Sequence, residues 1–266
     1  MAEEKANIMS KIGVLYICTG KYAAFWDGFY ASAKKNLCVD SQLIFYVFTD
    51  NEELLNLHVD DVRFIYKKSE PWPMPTLMRF STFLSRKEKY LEVDYLLFCN
   101  ANLIIEQPIT TAEILSDKPY FATIHPGHVG KDPQKFPYEK NSNSLAYINN
   151  AAPYYVCGGF NGGRRDDFVK MCELLSRNID KDLENNIIAV WHDETHFNKF
   201  YSERLNLFNV LPAKYCQPQG WPAKDDPIIT VLNKEFVIGV SNKGAFYSIR
   251  YYLSKLYRRI RSILIT

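Results

Sequence analysis

Asp94-Tyr95-Leu96-Leu97-Phe98-Cys99-Asn100-Ala101-Asn102 is an apolar run that stops at two carboxamides separated by one alanine. Consecutive apolar side chains without alternation mark a strand buried on both faces, as in a parallel sheet. Ligands of such sheets bind beyond the carboxyl ends of the strands, where Asn100 and Asn102 fall. An asparagine amide donates and accepts hydrogen bonds but is neutral, and hard cations prefer charged oxygen ligands. The pair therefore reads as a hydrogen-bonding strand end that would hold a divalent ion poorly. An Asn-x-Asn alone carries little; its surroundings decide its meaning.

Working outward, residues 12–19, 43–48, 62–66 and 120–124 are further strand-like runs, and residues 23–37 have helical spacing at Phe25, Phe29, Ala33 and Leu37. Pro71, Pro73 and Pro75 break the chain before a helix predicted over about 76–91, with Arg79 in its first turn. Strands alternating with helices predict an α/β fold, a largely parallel sheet covered on both faces. Gly20-Lys21-Tyr22, Asp50 and Asn100-Ala101-Asn102 then converge on one rim. Residues 125–153 read as a long loop. A short strand over 154–157 leads into Gly158-Gly159-Phe160-Asn161-Gly162-Gly163, and helices are predicted over 164–178 and 192–203. The glycine cluster lacks a following Lys-Ser/Thr phosphate signature, so it reads as close backbone approach to a ligand.

The 266 residues, 47% hydrophobic and 23% charged, suit a globular chain with a sizeable core. Aromatics reach 15%, which fits either an aromatic core or rings that stack on sugars or bases. Six cysteines show no paired spacing and lie mostly in apolar runs, so free thiols in a cytoplasm are expected. No apolar run is long enough to span a bilayer. From Phe236 onward there are six basic residues and no acid, although the whole chain carries only +2.

Trp191-His192-Asp193-Glu194-Thr195-His196-Phe197-Asn198-Lys199 resembles the most distinctive stretch of glycosyltransferase family 6, which includes the histo-blood-group A and B transferases and the α1,3-galactosyltransferases. His125-Pro126-Gly127, Tyr138-Glu139, Ala146-Tyr147-Ile148, Tyr154-Tyr155, Gly158-Gly159-Phe160 with Gly162-Gly163, and Gly220-Trp221-Pro222 match in order. Gly20-Lys21-Tyr22 and Val93-Asp94-Tyr95 complete the set, which covers roughly residues 11–235. The animal members carry Asp-x-Asp where this chain has Asn100-Ala101-Asn102; bacterial relatives share the asparagine form. The resemblance implies a GT-A fold and a retaining, metal-independent α1,3 transfer, with no divalent metal or other cofactor. The donor would be UDP-N-acetylgalactosamine or UDP-galactose. The acceptor would be the 3-hydroxyl of a galactose in an oligosaccharide or glycolipid, often fucosylated.

The resemblance also implies roles. Glu194 is the expected catalytic carboxylate, against the plain alternative of an acid favoured by a helix N-terminus. Donor contacts are expected from Ile17, Cys18, Tyr22, Arg79, Asn100, Ala101, Asn102, Cys157, Gly159, Asp193 and Lys234, and acceptor contacts from His125, Trp191 and Glu194. Arg79 and Lys234, with Lys243 as a second candidate lysine, would offset charge on the leaving diphosphate; solvated surface cations are the alternative. Ile17 and Trp191 also read as core residues, and His125 as a turn residue. Cys157 and Gly159 are small, which favours an N-acetylated donor sugar. Gln219 stands where relatives often carry an acid. His192 and His196 are four apart, but Asp193 occupies the position where a zinc-protease signature requires Glu, so no zinc site is expected.

The domain organisation predicted is an extension over 1–10, one transferase domain over 11–240 and a basic tail over 241–266. Ile249, Leu253, Leu256, Ile260 and Ile263 form one helical stripe beside Arg and Lys residues. Residues 246–264 therefore fit peripheral contact with the inner face of a membrane, or packing on the domain itself. Basic residues lack a base-stacking platform, so no nucleic-acid partner is expected. The competing function is a non-catalytic carbohydrate- or nucleotide-sugar-binding protein of the same fold.

Overall fold

The computed structural model describes residues 9–239; the basic tail and Lys243 lie outside the described residues. In chain order the elements are β1 (Lys11–Ile17), α1 (Trp26–Asn36), β2 (Gln42–Thr49), α2 (Glu52–Leu55), β3 (Val62–Tyr66), α3 (Met74–Leu77), α4 (Arg79–Leu84), β4 (Tyr95–Cys99), β5 (Leu103–Ile105) and α5 (Thr111–Ile114). Then follow β6 (Tyr120–Ile124), β7 (Val156–Arg164), α6 (Arg165–Glu184), α7 (Asp193–Ser202), β8 (Phe208–Leu211), β9 (Gln217–Pro218), β10 (Ile229–Val231) and α8 (Lys234–Ile238). Seven strands form the central sheet in the order β3-β2-β1-β4-β7-β6-β8, and β5, β10 and β9 form a small second sheet. All central pairings are parallel except those of β7, which runs antiparallel to both β4 and β6. This is a mixed α/β architecture of GT-A type.

The sheet is buried on both faces because its strands are apolar at successive positions. Val14 and Tyr16 join a core with Trp26, Phe29 and Ala33 of α1, where Tyr16 stacks on Phe29 with ring centroids 4.3 Å apart. Leu15 points the other way, into a core with Phe83 of α4, Phe168 and Leu175 of α6, and Phe197 of α7. Most aromatic residues therefore serve the core, whereas Trp72, Trp191 and Trp221 are exposed. All six cysteines are free and buried.

The structure differs from the sequence reading in three places. The helix predicted over 76–91 is broken into α3, α4 and a 3-10 turn (Lys87–Glu92). Ser81, Thr82 and Ser85 hydroxyls donate to carbonyls three or four residues back, which bends a helix. Secondly, β7 is a nine-residue strand that runs through the glycine cluster. A Cβ at Gly162 would lie 2.4 Å from the Leu96 carbonyl oxygen, and one at Gly163 2.1 Å from that of Pro119. The contacts at these two glycines are with neighbouring strands, which their missing side chains let approach. Thirdly, the 125–153 segment is anchored. Ser144 Oγ donates to Asp182 Oδ2 (2.5 Å), Leu145 N to Asp182 Oδ1 (2.9 Å), and Val190 N to Glu139 Oε2 (3.0 Å).

Register in β7 creates the opening for the site. Ala122 pairs with Asn161, but the next residue, Thr123, pairs with Cys157. Residues 158–160 therefore bulge away from β6, while Asn100 N still donates to Gly159 O at 2.9 Å.

Adding one methyl at Gly162 or Gly163 forces backbone against backbone. Gly162→Ala and Gly163→Ala are each expected to destabilise the fold by about 2–3 kcal/mol or more, read as a lowered denaturation midpoint. A midpoint within error of the parent protein would refute the packing argument.

Candidate active site

Around the bulge, Gly158 has both of its backbone groups engaged. Its N–H donates to Glu194 Oε2 at 2.8 Å, and its carbonyl accepts from Arg79 Nη1 at 2.9 Å. The same Arg79 nitrogen lies 2.6 Å from Asp193 Oδ2, and the guanidinium sits 4.2 Å from the centre of the Phe98 ring. A Cβ at Gly158 would meet both Arg79 and Glu194 at 3.4 Å. These are ordinary contact distances, so it is the Gly158 backbone, with both its polar groups engaged, that draws the two side chains together.

Helix α7 presents those carboxylates at its first two positions, and the side chains of Asn198 and Thr195 fasten it. Asn198 Oδ1 accepts from Val156 N (3.0 Å), while its Nδ2 donates to Val156 O (2.8 Å) and to Glu194 O (2.9 Å). One side-chain amide thus pairs with the strand as a neighbouring strand would. Trp191 N donates to Thr195 Oγ1 at 2.9 Å. His192, just before the helix, has φ 57° and ψ −127°, a backbone conformation costing on the order of 1–3 kcal/mol for a residue other than glycine. The Glu139 contact to Val190 helps hold that turn in place.

Electrostatics follow from burial. Asp193 is 1% exposed, and neither carboxylate oxygen has a hydrogen bond of regular geometry, so its contact with Arg79 is ionic. Burial pushes its carboxyl up to about 7; Arg79 opposes the shift and the adjoining Glu194 adds to it. Glu194 is also raised by burial, against the Gly158 N–H, the neighbouring Tyr155 hydroxyl and Arg79. Tyr155 Oη lies beside Glu194 without a hydrogen bond of regular geometry. Lys234 is lowered by burial and by Arg79, which places the two cations within electrostatic reach of each other.

The other residues expected to contact a donor are placed as follows. Cys18 is buried, its carbonyl accepting from Thr49 Oγ1 at 2.9 Å, and Ile17 packs partly buried at the end of β1. Tyr22 lies on the following 3-10 turn, with Lys234 Nζ 5.5 Å from its ring centre. Asp50 accepts from Gly20 N (2.7 Å) and Ser69 N (2.9 Å), tying two rim loops together. Asn100 Nδ2 donates to Asn102 Oδ1 (3.1 Å), and Asn102 Nδ2 donates to Leu232 O (2.7 Å). Ala101 O accepts from the Tyr16 hydroxyl at 2.7 Å. Cys157 is buried, and a Cβ at Gly159 would meet Cys216 Sγ at 3.5 Å and Asn100 Cβ at 3.7 Å.

His125 and Trp191 are the residues expected to contact an acceptor. His125 Nδ1 accepts from Gly127 N at 3.0 Å, which assigns the ring proton to Nε2. Burial lowers its pKa to about 4, so the ring is neutral at pH 7. Trp191 is 51% exposed, which removes the core reading for it. His192 packs edge-on against Trp72, whereas His196 is buried with Nε2 3.6 Å from Asp182. The two histidines serve different contacts. Among the described residues no group of three or more His, Cys, Asp and Glu side chains is placed to hold a metal ion.

Sequence reading did not single out Tyr155, Asn198, Thr195 or Glu139 as parts of this arrangement. Each acts through a partner 4 to 51 positions away, and nothing in local spacing announces such contacts.

The model of glycosyltransferase family 6 matches residues 3–227. This chain belongs to glycosyltransferase family 6. It is 31% identical over 225 residues to the O-antigen biosynthesis glycosyltransferase WbnI of Escherichia coli, covering 84% of this chain and 95% of that protein. It is 30% identical over 228 residues to the histo-blood group ABO system transferase 1 of Rattus norvegicus, covering 80% of this chain and 63% of the relative. It is also 30% identical over 220 residues to the globoside alpha-1,3-N-acetylgalactosaminyltransferase 1 of Gallus gallus, covering 78% and 60%. The chain thus spans about three-fifths of the length of these two animal relatives. Family membership makes it a glycosyltransferase, acting on a sugar donor and a glycan acceptor.

A carboxyl raised by burial makes folding less favourable as it ionises. Between 3.8, its ordinary value, and about 7, the unfolded chain has lost the Asp193 proton while the folded chain keeps it. Stability contributed by this group therefore falls as pH rises through that window and levels off above it. Asp193→Asn has no such term. The stability of the variant relative to the parent should rise between pH 4 and 7 in denaturant titrations; a pH-independent difference would contradict the assignment.

Proposed function

We propose that this chain is a retaining, metal-independent α1,3-glycosyltransferase. It moves N-acetylgalactosamine or galactose from a UDP-sugar to the 3-hydroxyl of a galactose-containing acceptor, fucosylated in the favoured case. The observation that carries the reading is the clamp at Gly158, which holds two carboxylates, one cation and a bulged strand end at the rim of the sheet.

Glu194 is the group beside the anomeric carbon. Its carboxylate either displaces UDP from that carbon to form a glycosyl ester that the acceptor hydroxyl then displaces, or stabilises positive charge on the carbon while UDP departs and the acceptor attacks from the same face; in both, the hydroxyl proton passes to the released diphosphate. Both routes retain configuration. Asp193 accepts hydrogen bonds from donor-sugar hydroxyls, with Arg79 setting its orientation. Arg79 is already committed to Asp193 and Gly158, so Lys234, poised above Tyr22, is the cation assigned to the diphosphate. Tyr22 and Ile17 take the uracil; His125 and Trp191 take the acceptor sugar.

Asn100 and Asn102 do not fit a divalent ion. Both are neutral, and their amides bond to each other and to Leu232, fastening the strand end to the segment that carries Lys234. Helix-free backbone groups and cations supply the electrostatic help instead. The basic stripe over 246–264 supports peripheral attachment to the cytoplasmic face of an anionic membrane. Among the described residues no helix is long and apolar enough to cross one.

Transfer from either UDP-sugar in excess EDTA should equal that without chelator. Glu194→Gln should lower it by about 10²–10³-fold while UDP affinity by calorimetry stays within a few-fold. Full loss on chelation would overturn metal independence, and an unaffected Glu194→Gln variant would remove Glu194 from the chemistry.

Gly159 fits an alanine without strain, since its neighbours stand at ordinary contact distance. Gly159→Ala is therefore expected to fold normally and to shift kcat/KM toward UDP-galactose and away from UDP-N-acetylgalactosamine by about tenfold. An unchanged donor ratio would show that the N-acetyl group lies elsewhere.

A further inference from the structure

We infer that Trp221 is a second acceptor subsite, a stacking platform for the sugar that follows the reacting galactose in an oligosaccharide. This rests on the transferase reading above and names a residue and a ligand class beyond it.

Trp221 is 53% exposed, yet its backbone is tightly held. Its N–H donates to Pro218 O at 3.2 Å, and Gly220, at φ 79°, supplies the left-handed third position of that turn. Gln219 clamps the same turn on two sides: its N–H donates to Val231 O at 2.9 Å, and its Oε1 accepts from Asn233 N at 3.1 Å. Asn233 caps α8, which starts at Lys234. A large ring on a fixed backbone loses little conformational freedom on binding.

The indole stands across Gly127 from the His125 imidazole. A Cβ on Gly127 would lie 3.1 Å from His125 Cε1 and 3.6 Å from Trp221 Cζ3. Gly127 does not adopt a positive φ, so its backbone conformation does not demand glycine. What the missing side chain provides is an open gap between the two rings. His125 in turn packs against Tyr155, with ring centroids 5.8 Å apart, and the Tyr155 hydroxyl lies beside Glu194. Tyr155, His125 and, across the gap at Gly127, Trp221 therefore follow one another outward from the Glu194 carboxylate. With the reacting galactose at Glu194 and His125, the next pyranose reaches the indole, whose face suits the apolar C–H face of a sugar ring.

The test uses the full chain, Trp221→Ala and Trp221→Phe, with methyl β-galactoside and lactose as acceptors. Trp221→Ala should raise the KM for lactose about tenfold. The KM for methyl β-galactoside, which ends before the platform, should change less than twofold. Trp221→Phe should recover most of the lactose affinity, which a merely unfolded variant would not. Equal shifts for both acceptors, or none for lactose, overturn the subsite while leaving the transferase reading intact. Saturation-transfer NMR of lactose on the parent protein separates the two readings: glucose-ring contact with aromatic protons, lost in Trp221→Ala, supports the platform even if no transfer occurs. Transfer without that contact overturns it.

Discussion

Burying Asp193 and Glu194 beside one another is the constraint around which this molecule is arranged. Two adjoining carboxylates out of water are costly unless cations and hydrogen-bond donors reach them. Arg79 and the Gly158 peptide reach them from two other elements, α4 and β7, so three distant stretches of chain must meet within about one hydrogen-bond length. The requirement propagates outward. β7 must bulge, and α7 must be fastened at a fixed height, which the Asn198 amide does. Compensation is incomplete, as the raised Asp193 carboxyl records. Poorly compensated buried charge is a recurrent property of functional sites.

Both faces of the glycine-rich strand are used, for different ends. At Gly162 and Gly163 the absence of side chains brings β4, β7 and β6 into contact with one another. At Gly158 and Gly159, four residues earlier, the backbone turns its polar groups to Glu194, Arg79 and Asn100 instead of to β6. A register shift against β6 separates the two regimes. The same short sequence thus supplies sheet cohesion at one end and the contacts to Arg79 and Glu194 at the other.

The Asn100-Ala101-Asn102 segment belongs to the scaffold as much as to the rim. Its amides join β4 to the strand that precedes Lys234, so Asn100 and Asn102 help to position the cation proposed to meet the diphosphate.

Much of the fold was legible in the sequence because burial on both faces writes itself as uninterrupted apolar runs. The runs at 12–19, 43–48, 62–66 and 120–124, with Asp94 to Cys99, became five strands of the sheet, and their polar ends met on one rim. The motif from Trp191 to Lys199 identified the family and the candidate carboxylate, since its residue order is distinctive. Sequence alone also separated His192 from a zinc pairing. What it could not decide was anything set by contacts between remote segments. The extent of β7 was hidden because glycine has low strand propensity and only the packing of β4 and β6 keeps it extended. The break in the 76–91 helix came from hydroxyls bonding back to their own backbone, and the fixing of 125–153 came from Asp182 and Val190. Trp221 was legible as a family match but not as a platform, because its exposure depends on a turn held by Gln219 and on a gap left by Gly127. Periodicity reports which face of an element is buried; it carries no information about which other element is pressed against it.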